Sequence, residues 1–133
     1  MVPITEDYVS FETAKLLKEK GFDEDCNAYW DLTTETKTPK IGLSVSSKNW
    51  NYKWNPIPFP ISAPTLQMAM KWLRKEYNIH IEPRYFPMPN IYRYVIIRSP
   101  ATIENIDSHP QYFSSHEEAC DAAIKYCLEI LVK

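Results

Sequence analysis

The chain has 133 residues, 44% of them hydrophobic and 24% charged, with a formal net charge of −2. That length suits a single domain, residues 1–133, able to bury roughly two-thirds of the surface its unfolded chain would expose, and the composition points to neither disorder nor a membrane span. The near-neutral charge argues against a generic electrostatic grip on nucleic acid, which relies on clustered Lys and Arg releasing counterions.

The opening residues Val2 to Asp7 lack the basic and apolar regions of a secretory signal, so the expected compartment is the cytoplasm. With two glycines and eleven prolines, turns fall mostly to Pro, Asn, Asp and Ser, and rigid loops are expected. A first helix is predicted from Ser10, whose hydroxyl can cap free backbone N–H groups, to just before Gly21, the residue suited to a left-handed C′ position. Phe11, Ala14 and Leu17 form its apolar stripe, with Leu16 alongside. Ala28 to Leu32 and Ile41 to Val45 read as short strands, and the polar link Thr33 to Lys40 makes a hairpin the economical pairing.

Trp50, Tyr52 and Trp54 follow, spaced by Asn51 and Lys53. If extended, this segment projects all three rings to one side, where they could stack on bases or serve as a protein-binding surface with Asn51, Lys53 and Asn55 as a polar rim. The alternative is that the rings cover the edge of the core beneath the proline loop. Pro56 to Pro60 favours extended polyproline geometry and reads as a stiff connector.

The second helix is predicted to be capped by Ser62 with Pro64 in its first turn. Leu66, Ala69, Met70, Leu73 and Tyr77 recur at helical spacing on one face, while Met68 and Trp72 fall on the side opposite that stripe. An exposed Met–Trp pair has interface character, unless the aromatic loop folds over it. After Asn78 the period changes to two: Ile79, Ile81 and Tyr85 alternate with polar residues, and Pro83 marks an edge or a bulge. Pro87 to Asn90 form a turn, and Tyr92 to Arg98 return as a strand, with Tyr94 and Ile96 on one face and Val95 and Ile97 on the other. A final helix is predicted from a capping box of Ser114 and Glu117. It carries stripes Ala119-Ala122-Ala123-Tyr126-Ile130 and Cys120-Ile124-Cys127-Leu131.

The expected fold is therefore α+β: an antiparallel sheet of about four strands in hairpin pairs with three helices, in the order α-β-β-α-β-β-α. Leu73 and Tyr126 are expected in its core. Leu17-Lys18-Glu19 before Phe22 echoes Leu73-Arg74-Lys75-Glu76 before Ile79, a match too short to count as a repeat.

Tyr8 through Phe22, Ala63 through Arg74, and Glu117 through Ile124 resemble small uncharacterised proteins of prophages and mobile elements of gut bacteria. The resemblance implies an origin of that type and brings no catalytic residues with it.

Chemistry-bearing clusters are sparse. Cys26, Cys120 and Cys127 cannot all pair, and no CxxC is present, so all three thiols are expected buried and reduced. His116 and Cys120, four apart, could reach one ion with Cys127, but nothing in the spacing supplies a fourth ligand among Cys26, His80 and His109. Neither metal nor cofactor is expected. Asp23-Glu24-Asp25 reads as a solvated turn, and Asp107-Ser108-His109 adjacent in sequence does not make a triad. The functional expectation is a non-catalytic accessory protein that binds a protein partner or itself through Trp50, Tyr52, Lys53, Trp54, Met68 and Trp72. A nucleic-acid module using the aromatic row is the runner-up, and an enzyme of unknown reaction comes third.

Overall fold

The computed structural model describes residues 6–32, 38–51, 60–100, 102, 105–108 and 111–132. The chain divides into two compact units on either side of the Thr65–Leu66 bond. The α+β class and the order α-β-β-α-β-β-α hold for its long elements, with two short strands added. The expected single sheet is corrected to two antiparallel sheets of three strands each.

In the first unit, helix α1 spans Phe11–Glu19. Its start is fixed by Ser10, whose side chain accepts from the Thr13 N–H at 3.3 Å, and its end by Gly21 at φ +92°. There the N–H of Phe22 donates to the Leu17 carbonyl and that of Gly21 to the Lys18 carbonyl, a Schellman closure that covers otherwise unpaired carbonyls. Leu17 and Phe22, the two residues this closure brings together, are both fully buried. Thr13 is buried with Ala14 and Leu17, while Phe11 is half-buried and meets Trp30 edge-on.

Strands β1 (Cys26–Leu32) and β2 (Pro39–Lys48) form the predicted hairpin, longer than expected at both ends, with Ala28 opposite Leu43 and Leu32 opposite Pro39. Most of the link, residues 33–37, lies outside the described residues. The ladder is interrupted between Ala28↔Leu43 and Cys26↔Lys48, so Ser44 to Ser47 stand opposite Asn27 alone as a bulge. A short strand β3 (Ile61–Ser62) pairs with the other side of β1, and α1 packs against it.

That strand overturns the predicted cap. Ser62 is a fully buried strand residue, and the second helix, α2, begins at Leu66. Two causes agree. Proline disfavours helical backbone in the residue before it, so Ala63 stays extended ahead of Pro64. The extended segment then finds backbone partners: Ala63 N–H donates to the Ala28 carbonyl, and Val9 N–H to the Pro64 carbonyl.

In the second unit, α2 (Leu66–Tyr77) buries Leu66, Ala69, Met70 and Leu73 as its periodicity requires. Tyr77, expected on that stripe, is exposed instead, and its ring meets Trp72 edge-on at 5.4 Å. Asn78, at φ +55°, ends the helix. Strands β4 (Ile79–Phe86) and β5 (Ile91–Arg98) then pair in unbroken register from Ile79↔Arg98 to Phe86↔Ile91. Pro83 sits within β4 without a bulge, which its place on the sheet edge allows, since an edge strand need not donate on its outer side. Asn90, at φ +78°, closes the turn, donating to the Phe86 carbonyl and accepting from the Tyr85 hydroxyl at 2.7 Å. Strand β6 (Ile106–Ser108) adds to the far side of β5.

Helix α3 (His116–Tyr126) and α2 both pack on this sheet and on each other. The capping box is displaced by one residue. Ser115 accepts from the Glu118 N–H, and the Glu118 carboxylate reaches back to the hydroxyl and N–H of Ser114. Both roles given to Ser114 and Glu117 thus move one step along the chain. The helix continues as a π-helical turn, Cys127–Leu131, in which the Val132 N–H donates to the Cys127 carbonyl. Widening the turn to an i→i+5 bond rotates the face. Leu128 and Val132 are buried, Ile130 is exposed, and Tyr126, expected in the core, is only half-buried.

Candidate interaction surfaces

Trp50 lies in a turn and not in a strand. Strand β2 ends at Lys48, and Trp50 and Asn51 form a turn. This corner is tied inward by four hydrogen bonds. The Trp50 N–H donates to Ser62 Oγ and its indole Nε1–H to the Cys26 carbonyl, both at 2.9 Å. Asn51 Nδ2 donates to the Phe22 carbonyl, and its Oδ1 accepts from the Ser62 N–H. Asn51, expected on an interface rim, is a brace between the end of α1 and β3. Trp50 is half-buried, its ring 4.5 Å from that of Tyr29, with Lys48 Nζ 5.5 Å above it. Tyr29 in turn lies across Gly42, where an added Cβ would come 2.5 Å from its Cζ. The bare glycine is what lets this aromatic stack lie flat on the sheet. Tyr52, Lys53 and Trp54, with Asn55 and the proline segment through Phe59, lie outside the described residues.

The Met68–Trp72 pair is split. Met68 is exposed, whereas Trp72 is only 6% exposed, so its expected position on an open helix face is corrected. The buried arc of α2 is wide enough to take in position 72 beside the 66-69-70-73 stripe, which spacing alone does not reveal.

The surface that sequence reasoning missed is on β2. Ile41 is 42% exposed, Leu43 68%, and Val45 fully exposed, all on the outer strand of the sheet order β2-β1-β3. Their alternation predicted a strand with an apolar side, and it carries no information about whether anything covers that side. The stretch Ile41 to Ser47 holds no charge and no proline, two devices that normally guard a sheet edge. The bulge is its one guard.

The cysteines are all buried and free. Burial first, then the Asp25 and Glu24 carboxylates, pushes the Cys26 thiol up to about 12. Burial, with Glu117 and Asp121 behind it, raises Cys120 to about 11. Such thiols stay protonated near neutrality, the unreactive form. His116 Nδ1 lies 3.7 Å from Cys120 Sγ, the contact their spacing implied. Among the described residues, no three or more His, Cys, Asp or Glu side chains are grouped to hold a metal ion. Asp23 and Asp25 are exposed and Glu24 half-buried. Asp107 and Ser108 belong to β6, and His109 is outside the described residues. No helix among the described residues is long and apolar enough to cross a membrane. Comparisons of the chain with protein-family models, with curated proteins and with solved structures give no match.

Proposed function

We propose that the chain is a non-catalytic binding module, an accessory protein of the phage or mobile-element type it resembles, that recognises a protein partner or a second copy of itself through strand β2. One observation carries the reading: the exposed row Ile41, Leu43 and Val45 on a sheet edge. Apolar side chains grouped on an uncharged stretch of an edge strand mark interaction surfaces, because water leaves both the side chains and the outer backbone groups for a protein partner. The burial of all three thiols agrees with a role in packing.

A photo-crosslinking residue at position 43 tests the proposal in the full chain, purified and in an extract of cells that express it. The expected result is a covalent adduct with a polypeptide, either of doubled mass or with another protein, suppressed when Ile41→Lys and Val45→Lys are added. Absence of any protein adduct over a wide concentration range would overturn it.

A further inference from the structure

A second surface lies at the tip of the β4–β5 hairpin. Arg84 and Arg93 stand directly opposite each other in the ladder, so their side chains share one face of the sheet. Like charges so placed repel, and Arg84 is relieved by Glu82, 3.1 Å away on the same strand. Arg93 has no such relief: none of the described carboxylates pairs with it. Its guanidinium instead lies over two rings, 5.0 Å from the centroid of Tyr112 and 5.8 Å from that of Phe86. Its Nε is shielded from water and has no hydrogen-bond partner. A buried N–H left unpaired is costly, and a cation stripped of part of its hydration gains more from an anion than a solvated one. Exposed apolar groups belong to this ring pair and to the tip of the same hairpin. Tyr112 is 64% exposed and Met88, in the hairpin turn, 89%.

The geometry points to a docking site for a partner protein's segment that presents one Asp or Glu carboxylate beside an apolar side chain. The carboxylate takes the outer guanidinium N–H groups of Arg93, whose planar fork suits a two-pronged carboxylate contact. The apolar neighbour covers Met88 and the outer face of Tyr112. Charge selects this occupant. Among the described residues at the hairpin tip, Arg84 and Glu82 cancel and Arg93 keeps its charge, which one carboxylate neutralises. A nucleic-acid backbone brings a row of phosphates and relies on several clustered cations. Arg, Tyr and Met together are also the residue types concentrated where protein interfaces bind most strongly. This proposal uses none of the residues of the β2 row and does not depend on it.

The test uses the full chain against an array of short peptides, each with one Asp or Glu next to Leu or Phe, paired with the same peptides carrying Asn or Gln. Carboxylate peptides should bind at least tenfold more tightly than their amide twins and shift the Arg93 Nε–H resonance. Arg93→Lys, which keeps the charge and loses the planar fork, should abolish most of that preference, and Tyr112→Ala should weaken binding. Leu43→Lys should leave it unchanged, which separates this site from the β2 proposal. Equal binding of amide and carboxylate peptides, no binding, or wild-type behaviour of Arg93→Lys would overturn the inference. So would tighter, steeply salt-dependent binding of a single-stranded oligonucleotide, or a homodimer that dissociates on Arg93→Met.

Discussion

Gly21–Phe22 and Asn78–Ile79 close their helices alike, each with a left-handed residue followed by a buried apolar one, yet the two sheets that follow are finished differently. In the first unit the added strand β3 pairs with β1 and leaves β2, the second strand of the hairpin, on the edge. In the second unit β6 pairs with β5 and leaves β4, the first strand, on the edge. The edge strand β4 carries Glu82, Pro83 and Arg84 in its middle, features that discourage further strand pairing. Strand β2 carries Leu43, Ser44 and Val45 there. Cover differs too, since two helices pack on the second sheet and α1 packs on β3 in the first. The same helix-and-hairpin beginning thus yields one sheet whose edge strand is guarded by charge and proline and one whose edge strand exposes Leu43 and Val45 at its middle, and which strand the third one joins sets the edge.

The comparison is sharpest at two leucines. Leu73→Ala removes a fully buried side chain of α2, and the expected loss is about 2–5 kcal/mol from lost burial and cavity formation. A lowered denaturation midpoint at unchanged slope checks it. Within the first unit, Asn51→Ala should cost about 1–3 kcal/mol, because the Ser62 N–H and the Phe22 carbonyl both lose their partner. If the same measurement shows no change, the brace is not what holds the Trp50 corner. Gly21→Ala forces a Cβ into a left-handed backbone and should cost about 1–2 kcal/mol. The space around that position is open, so any loss there reports backbone strain alone.

Both units share an alkaline sensitivity, smaller and gradual. Cys26 in the first unit is raised to about 12 and Cys120 in the second to about 11. The folded protein therefore keeps protons that the unfolded chain gives up above roughly pH 8.5. Stability should be whole below that pH and fall as it rises towards 11 and 12. Tyr94, raised to about 12 mainly by burial, adds to the same trend. Cys26→Ala should flatten the decline in a pH series of denaturant midpoints, and an unchanged decline would remove that thiol as its source. The smallest effect is expected at the second leucine: Leu43→Ala, on the open face of β2, should stay within about 0.5 kcal/mol. A loss as large as that of Leu73→Ala would mean that β2 is covered in solution.

What the sequence determined by itself is local. The Ser10 cap, the left-handed stop at Gly21, the break at Asn78, the Pro87–Asn90 turn and the periods of α2, β4 and β5 all depend on residues within a turn of one another, so residue type reports them directly. Even the displaced cap of α3 was legible as a box and missed only by one position, since Ser114 and Ser115 are chemically equivalent and the neighbouring Glu117 and Glu118 are too. The tertiary structure decided the rest. Ser62 became a strand residue because β1, more than thirty residues earlier, offered it a ladder partner. Trp72 went inside although it lies off the apolar stripe of α2, and Leu43 stayed outside although it sits on a regular apolar alternation. Arg93 came to rest over both Phe86 and Tyr112 because the hairpin register and the approach to α3 brought the two rings to it. Periodicity states which side of an element is apolar; only contacts between residues far apart in the chain determine whether that side is covered, and by what.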